Sequence, residues 1–394
     1  MLDQQNETKG AFFMRKRWVS ALTALALTAA LAQPVSAASV EITAPSAILI
    51  DAATGTVLYE ENAHERLAPA SVTKVMTLLL VMEALDDGRI GWDDVVTTSA
   101  AAAAKGGSQI YLEENEQLPL REMLKSVVVS SANDCATALA EHVAGSESAF
   151  VDRMNARAAE LGMTDTHFVN CTGLDDEPDA AEHLTCAYDI AVMSRELLRH
   201  DEIREYTTIW MDTVRNGQFG LSNTNKLVRF YSGTTGLKTG YTSAAGYCLS
   251  ASAERDGLEL IAVVLHCATS TDRFESAKAL LDYGFANYCL ITPSPDEALP
   301  EIPVVLGTEA TVRAVLADDT PILADKGAAS GLEKTVELAS SVTAPVEAGQ
   351  KLGTLVLRSD GTPLAQIDLV AETAVPRLSW WQLTVQLLRA VCLS

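Results

Sequence analysis

A serine and a lysine stand three residues apart in the stretch Pro69-Ala70-Ser71-Val72-Thr73-Lys74, and an apolar run follows directly: Val75, Met76, Leu78, Leu79, Leu80, Val81, Met82 and Leu85. A proline, then small residues, then a serine suits a helix start. One helical turn separates Ser71 from Lys74, so the spacing predicts that both side chains share a face. A hydroxyl is a weak nucleophile, and an amine one turn away can take its proton if that amine is neutral. Ser71 is therefore a candidate nucleophile and Lys74 its candidate base. The pair alone is common in sequences, so its chemistry depends on what else the fold brings to it.

Two further triplets could complete such a site. Ser131-Ala132-Asn133 stands near the start of a helical stretch, and Lys238-Thr239-Gly240 enters a strand. Other chemistries find no support. The six histidines include no His-x-x-x-His pair, so each reads as a surface or core residue. No Gly-x-Ser-x-Gly elbow is present. Gly233-Thr-Thr-Gly236-Leu-Lys238 lacks the Gly-Lys step of a phosphate-binding loop, and no nucleotide or other cofactor is indicated. Seven scattered cysteines form no Cys-x-x-Cys pair, which argues against a metal site. Which of them pair is not legible, and six could be small buried hydrophobes.

The elements that must position these residues read as α/β (α+β), with a helical insertion between flanking strands. Residues 47–50 and 56–59 flank the turn Asp51-Ala-Ala-Thr-Gly55, a hairpin signal. Helical spacing dominates from Trp92 to His200, clearest at 100–104 and 119–143. Gly106-Gly107-Ser108-Gln109 reads as a loop within it, as does Asn170 to Pro178. Strand and turn texture resumes at Lys226, and residues 273–288 return to helical spacing. Past Pro293, short strands at 304–305, 311–315, 335–338, 352–357 and 367–370 predict a small all-β domain.

The two ends speak of location. Arg15-Lys16-Arg17, an apolar stretch from Trp18 to Ala32 and Val35-Ser36-Ala37 form a cleavable export signal over 1–37. The last residues, 374–394, are apolar nearly all round, with adjacent Trp380 and Trp381 and a stripe of Gln382, Gln386 and Arg389. That pattern suits an amphipathic helix lying on a membrane surface and is poor for spanning one. A helix packed on the protein itself is the alternative. A net charge of −23 excludes a nucleic-acid footprint.

Ser-x-x-Lys, a Ser-x-Asn triplet and Lys-Thr-Gly, in that order, are the joint signature of serine β-lactamases and penicillin-binding proteins. The wider run resembles the low-molecular-mass penicillin-binding proteins, the D-alanyl-D-alanine carboxypeptidases. It includes Ala70 to Lys74, Ser131 to Asp134, Phe168 to Leu174, Asn223-Thr-Asn225, Lys238 to Thr242 and Arg273-Phe274. The resemblance implies a β-lactamase/transpeptidase-like catalytic domain over 38–291, with antiparallel sheet and helical insertion. A β-rich C-terminal domain over 292–373 and a membrane-surface helix would follow. It also implies removal of the terminal D-alanine from peptidoglycan stem pentapeptides in the cell envelope, and covalent capture of β-lactam antibiotics.

Within that resemblance, Lys74 needs its amine lowered from about 10.4, which burial and a nearby Lys238 would both do. Ser131 could relay a proton to the leaving amine. Asn133 could hold the substrate amide and the Lys74 side chain. Lys238 and Thr239 suit the free carboxylate, and Gly240 leads to Tyr241. The backbone N–H groups of Ser71 and Tyr241 would form the oxyanion hole. Tyr241 stands where some relatives carry His. Arg273 reads equally as a surface or helix-packing residue. A β-lactamase, or an idle envelope protein that binds wall peptides or antibiotic, are the competing functions.

Overall fold

The computed structural model describes residues 40–176 and 179–392, with side chains described as far as Arg389. The expected export signal over 1–37 lies outside the described residues. The hairpin forms from β1 (Ser46–Asp51) and β2 (Val57–Glu61), antiparallel across the expected turn. Three long strands complete its sheet: β3 (Thr234–Thr242), β4 (Gly246–Arg255) and β5 (Leu258–Cys267). The order is β2-β1-β5-β4-β3, antiparallel throughout. β3, which carries Lys238-Thr239-Gly240, is therefore an edge strand.

Every residue of β1 is buried, as its unbroken apolar run requires for a strand covered on both faces. The larger helices are α1 (Lys74–Asp86), α2 (Leu120–Ser130), α3 (Asn133–Ala144), α4 (Glu147–Glu160), α5 (Ala187–Leu197) and α6 (Ser270–Asn287); α5 and α6 cover the sheet, α1 packs on α5, α3 and α4 pack on α1, and α2 packs on α3. Leu49 and Leu260 press against Gly284 of α6. Ser250, in register with Val263, instead bonds Ser194 of α5. Strand alternation puts these residues on opposite faces, giving a helix–sheet–helix sandwich. Within the helical layer, α1 is buried at all but Glu83 and Asp86. A helix apolar all round belongs inside, and this one runs through the core behind Ser71.

The stretch 119–143 differs from the single helix its spacing predicts. It breaks into α2 and α3 at Ser131, whose φ of +63° is left-handed and cannot continue a helix. The break redirects Ser131 out of the helical ladder. Beyond residue 300, Ile302, Val312, Leu355, Leu369 and Val375 form a second apolar cluster between two small sheets. The expected strands are there, but one helix, Lys326–Ser330, interrupts the all-β texture. The Asp325 carboxylate caps it by accepting the Gly327 and Ala328 N–H groups. The tail forms α7 (Trp380–Cys392), started by a reciprocal cap between Ser379 and Gln382. Among the described residues no helix is long and apolar enough to cross a membrane.

Candidate active site

Ser71 lies in a single 3-10 turn, Ala70–Thr73, and α1 begins at Lys74. The Lys74 ammonium donates to Ser71 Oγ at 2.9 Å and to the Thr172 carbonyl at 2.8 Å. Lys74 is wholly buried. Loss of hydration pulls its pKa down to about 7, with the nearby Asp134 carboxylate acting in the opposite sense. Near neutral pH the free amine is thus accessible, and it can accept the Ser71 proton while still donating to Thr172.

Ser131 and Asn133 sit at the α2–α3 break, both buried. Ser131 Oγ and Asn133 Oδ1 have no hydrogen-bond partner. A buried polar atom left unpaired costs about 1–3 kcal/mol, so two together mark a place built for a ligand's polar groups. The rest of Asn133 is committed: Nδ2 donates to the Gly106 carbonyl at 2.7 Å, and its N–H to the Ser108 carbonyl at 2.7 Å. The expected hold of Asn133 on Lys74 is not made; Thr172 takes that place. Next to it, the Asp134 carboxylate accepts the N–H groups of Ile110 and Leu112, which ties the 106–112 loop to the start of α3.

Lys238 is also fully buried, and its ammonium donates to the Thr239 carbonyl at 2.9 Å. Burial holds its pKa well below the ordinary lysine value, and repulsion from Lys74 and Arg273 adds to this. The expected mutual effect of the two lysines thus shows at Lys238, whereas burial governs Lys74. Thr239 Oγ1 donates to Thr224 Oγ1 at 2.7 Å. A Cβ on Gly240 would stand 2.7 Å from the Pro69 carbonyl oxygen and 3.0 Å from the nitrogens of Ser71 and Val72. Only glycine lets β3 press on the nucleophile turn this closely. Tyr241 is 55% exposed and leans on Tyr247, with ring centroids 4.3 Å apart.

Arg273 is not a surface residue. It is buried and its guanidinium donates to the carbonyls of Gly240 at 3.0 Å and Cys248 at 3.3 Å, fastening α6 to β3 and β4. The 166–185 segment contributes more than its motif announced. Gly173, with φ of +80°, lies against Ala70, and Leu174 lies beside Gly107. The 170–174 loop and β3 therefore both press on the turn that carries Ser71, and the 106–108 loop with Asn133 adjoins the 170–174 loop at Leu174. Thr172 and Gly173 gave no chemical signal in the sequence, because what they offer is a backbone carbonyl and an absent side chain.

Among the described side chains six cysteines are free thiols. Cys135, Cys171, Cys186, Cys248 and Cys267 are buried, and Cys289 is half-buried. Burial raises the buried thiols above their ordinary range, Cys248 to about 11, so they serve as small core residues.

Residues 32–269 match the family described as D-alanyl-D-alanine carboxypeptidase, and residues 294–377 match that of the penicillin-binding protein 5 C-terminal domain. The D-alanyl-D-alanine carboxypeptidase DacF of Bacillus subtilis is 42% identical over 337 residues, covering 84% of this chain and 85% of that one. DacC of Escherichia coli is 34% identical over 347 residues, with 86% and 85% covered. The crystal structure of penicillin binding protein 5 from Haemophilus influenzae aligns with a TM-score of 0.70 at 31% identity, covering 86% of this chain and 98% of its own. Penicillin-binding protein D2 from Listeria monocytogenes, in an ampicillin-bound form, gives 0.57 at 32% identity over 63% and 99%.

Proposed function

The chain belongs to the D-alanyl-D-alanine carboxypeptidase family, a family of serine peptidases, and from that premise we propose that Ser71 cleaves the terminal D-alanine from peptidoglycan stem pentapeptides. The observation that carries the assignment of Ser71 is its 2.9 Å contact with a lysine that burial keeps near pKa 7.

Ser71 Oγ attacks the carbonyl carbon of the penultimate D-alanine as Lys74 Nζ takes the hydroxyl proton. The negative charge that develops on the carbonyl oxygen is met by the N–H groups of Ser71 and Tyr241, each such donor being worth about 3 kcal/mol. Collapse of this intermediate breaks the peptide bond. The proton returns from Lys74 through Ser131 Oγ to the departing amine, which leaves as free D-alanine. Ser131 fits that relay because its hydroxyl has no other partner. Water then attacks the ester, with Lys74 again as base, and frees Ser71. Asn133 Oδ1, equally unpartnered, accepts the substrate amide. Lys238 and Thr239 read the free carboxylate, which makes the enzyme choose a C-terminus.

A stem pentapeptide incubated with the protein should release one D-alanine, and a fluorescent penicillin should leave a persistent adduct that Ser71→Ala abolishes. Folded protein that releases no D-alanine would overturn the reading, and rapid nitrocefin turnover would make it a β-lactamase instead.

The location follows from the two ends. Residues 1–37 act as the export signal, residues 38–291 as the catalytic domain and 292–373 as the β-rich domain that precedes the tail. α7 lies on the outer surface of the cytoplasmic membrane. Support for the last point is the exposure of Trp380 (85%), Trp381 (77%), Leu387 and Leu388, an apolar face left open among the described residues. Removing residues 374–394 should abolish co-sedimentation with phosphatidylethanolamine/phosphatidylglycerol vesicles and leave pentapeptide hydrolysis in solution within about twofold, since burial there adds no side chain to the site. Undiminished sedimentation would refute the membrane role.

A further inference from the structure

We propose that His183 is a positioning residue for the nucleophile, acting through Thr73 on the peptide that precedes Ser71; the inference rests on the reading of Ser71 given above. His183 is 3% exposed and lies on a segment with no catalytic signature. Its ring nitrogens have different partners. Nδ1 accepts the Val169 N–H at 3.1 Å, and Nε2 is 2.8 Å from Thr73 Oγ1. Thr73 Oγ1 spends its one proton on the Ala70 carbonyl, at 2.8 Å. The chain of donors is then fixed: Nε2–H to Thr73 Oγ1, and Thr73 O–H to Ala70 O. The ring is a neutral imidazole protonated at Nε2.

What this chain grips is unusual. Ala70 has a φ of +48°, a left-handed conformation that costs a residue with a Cβ about 1–2 kcal/mol. Strain of this kind persists only where the surroundings over-determine it. Here the Ala70 carbonyl is held by Thr73 on one side and by the approach of Gly173 on the other. The Ala70–Ser71 peptide also carries the Ser71 N–H assigned to the oxyanion hole. Its orientation therefore sets Ser71 Oγ and that donor together.

The polarity of the relay requires a neutral ring. A proton on Nδ1 would face the Val169 N–H, donor against donor. Burial, with the neighbouring His167 and Lys74 adding to it, moves His183 in the same direction, down to about 4. Bonded at both nitrogens, the ring also ties the Thr73 turn to the 166–185 segment, which supplies Thr172 O to Lys74. One strap thus orients the base and the peptide ahead of the nucleophile.

The test uses the full chain with His183→Leu, His183→Gln, Thr73→Val and the His183→Leu/Thr73→Val pair. Readouts are the acylation rate with a fluorescent penicillin, kcat and KM for D-alanine release, and melting temperature. Loss of the relay should slow acylation and kcat about 10- to 100-fold, the size expected from sub-ångström misplacement, with KM nearly unchanged. Glutamine, which keeps a donor at the Nε2 position, should recover most of that loss. The double variant should lose no more than the worse single one, because both cut the same chain. Additive losses, or a glutamine variant as slow as leucine, would overturn the proposal. Nitrogen NMR of the folded wild type gives a check independent of turnover: His183 should stay neutral with its proton on Nε2 from pH 8 to 5. If it titrates within that range, or carries its proton on Nδ1, the relay is wrong even where D-alanine release holds. Absence of release with this signature intact would fault the reading of Ser71 and leave the relay standing.

Discussion

Lys74→Ala is expected to abolish covalent labelling by a fluorescent penicillin in a chain that still folds. Among the described residues one group is placed to take the Ser71 proton, the Lys74 amine at 2.9 Å. A positioned base contributes about 10²- to 10⁴-fold, so residual labelling should fall at least a hundredfold. Arginine should not rescue it, because a guanidinium stays charged at any working pH. The wild-type rate carries the signature of the base. Only the neutral amine accepts a proton, so acylation should climb about tenfold per pH unit below 7 and level off above about 7, where Lys74 titrates. Normal labelling of Lys74→Ala, or a rate flat from pH 5 to 8, would remove Lys74 from the role.

The same burial makes Lys74 a stability cost. In the unfolded chain it binds a proton up to its ordinary value of 10.5, and in the native protein only to about 7. Between those values the unfolded state holds the extra proton, so this group's contribution makes stability rise with pH from about 7 to about 10.5. Below 7 both states are protonated and the full penalty of a buried ammonium applies. Lys74→Met, apolar and of similar shape, should therefore raise the melting temperature at pH 6 while eliminating acylation. The lysine is kept for chemistry at the expense of the core that surrounds it.

What could be read ahead of the structure was whatever is local and chemically marked. Ser71, Lys74, Ser131, Asn133 and Lys238-Thr239-Gly240 announce themselves by type and spacing, and the apolar run after Lys74 already says that its amine will be buried. The hairpin at 46–61 and the C-terminal strands follow from alternation and turn residues. What stayed open or was misread shares one cause, which is that tertiary contacts decide it. Apolar spacing passes straight through Ser131, so 119–143 looks like one helix; the left-handed turn there accompanies the tie of the 106–112 loop to Asp134, a contact the local pattern does not carry. Arg273 fastens strands far from it in sequence, a role it acquires only when α6 reaches the carbonyls of β3 and β4. His183 is a lone histidine in sequence, and its two bonds reach back to Val169 and to Thr73. Thr172 acts through its carbonyl, which every residue has.

Gly173→Ala should damage the enzyme more than any other change that adds a single methyl group at a left-handed glycine. The Asn170 side chain gathers this loop: its Oδ1 accepts the N–H groups of Thr172 at 3.1 Å and Gly173 at 2.7 Å, and its Nδ2 donates to the Leu174 carbonyl at 3.0 Å. So organised, the loop presents Thr172 O to Lys74 and lays the Gly173 Cα against Ala70. A Cβ would overlap the Ala70 carbonyl and lie 2.7 Å from Thr73 Oγ1. Backbone cannot yield as a flexible side chain does. Either the Ala70 peptide rotates, which moves Ser71, or the loop lifts, which takes Thr172 from Lys74. Gly162→Ala is the matched control, with φ of +74° and nothing within 4 Å of the new methyl. It should cost about 1 kcal/mol from the left-handed backbone alone and leave acylation unchanged. Gly173→Ala should add a drop of several degrees in melting temperature and slow acylation about a hundredfold. If the two variants behave alike, the approach of 173 to 70 is soft, and the 170–174 loop does not hold the nucleophile in place.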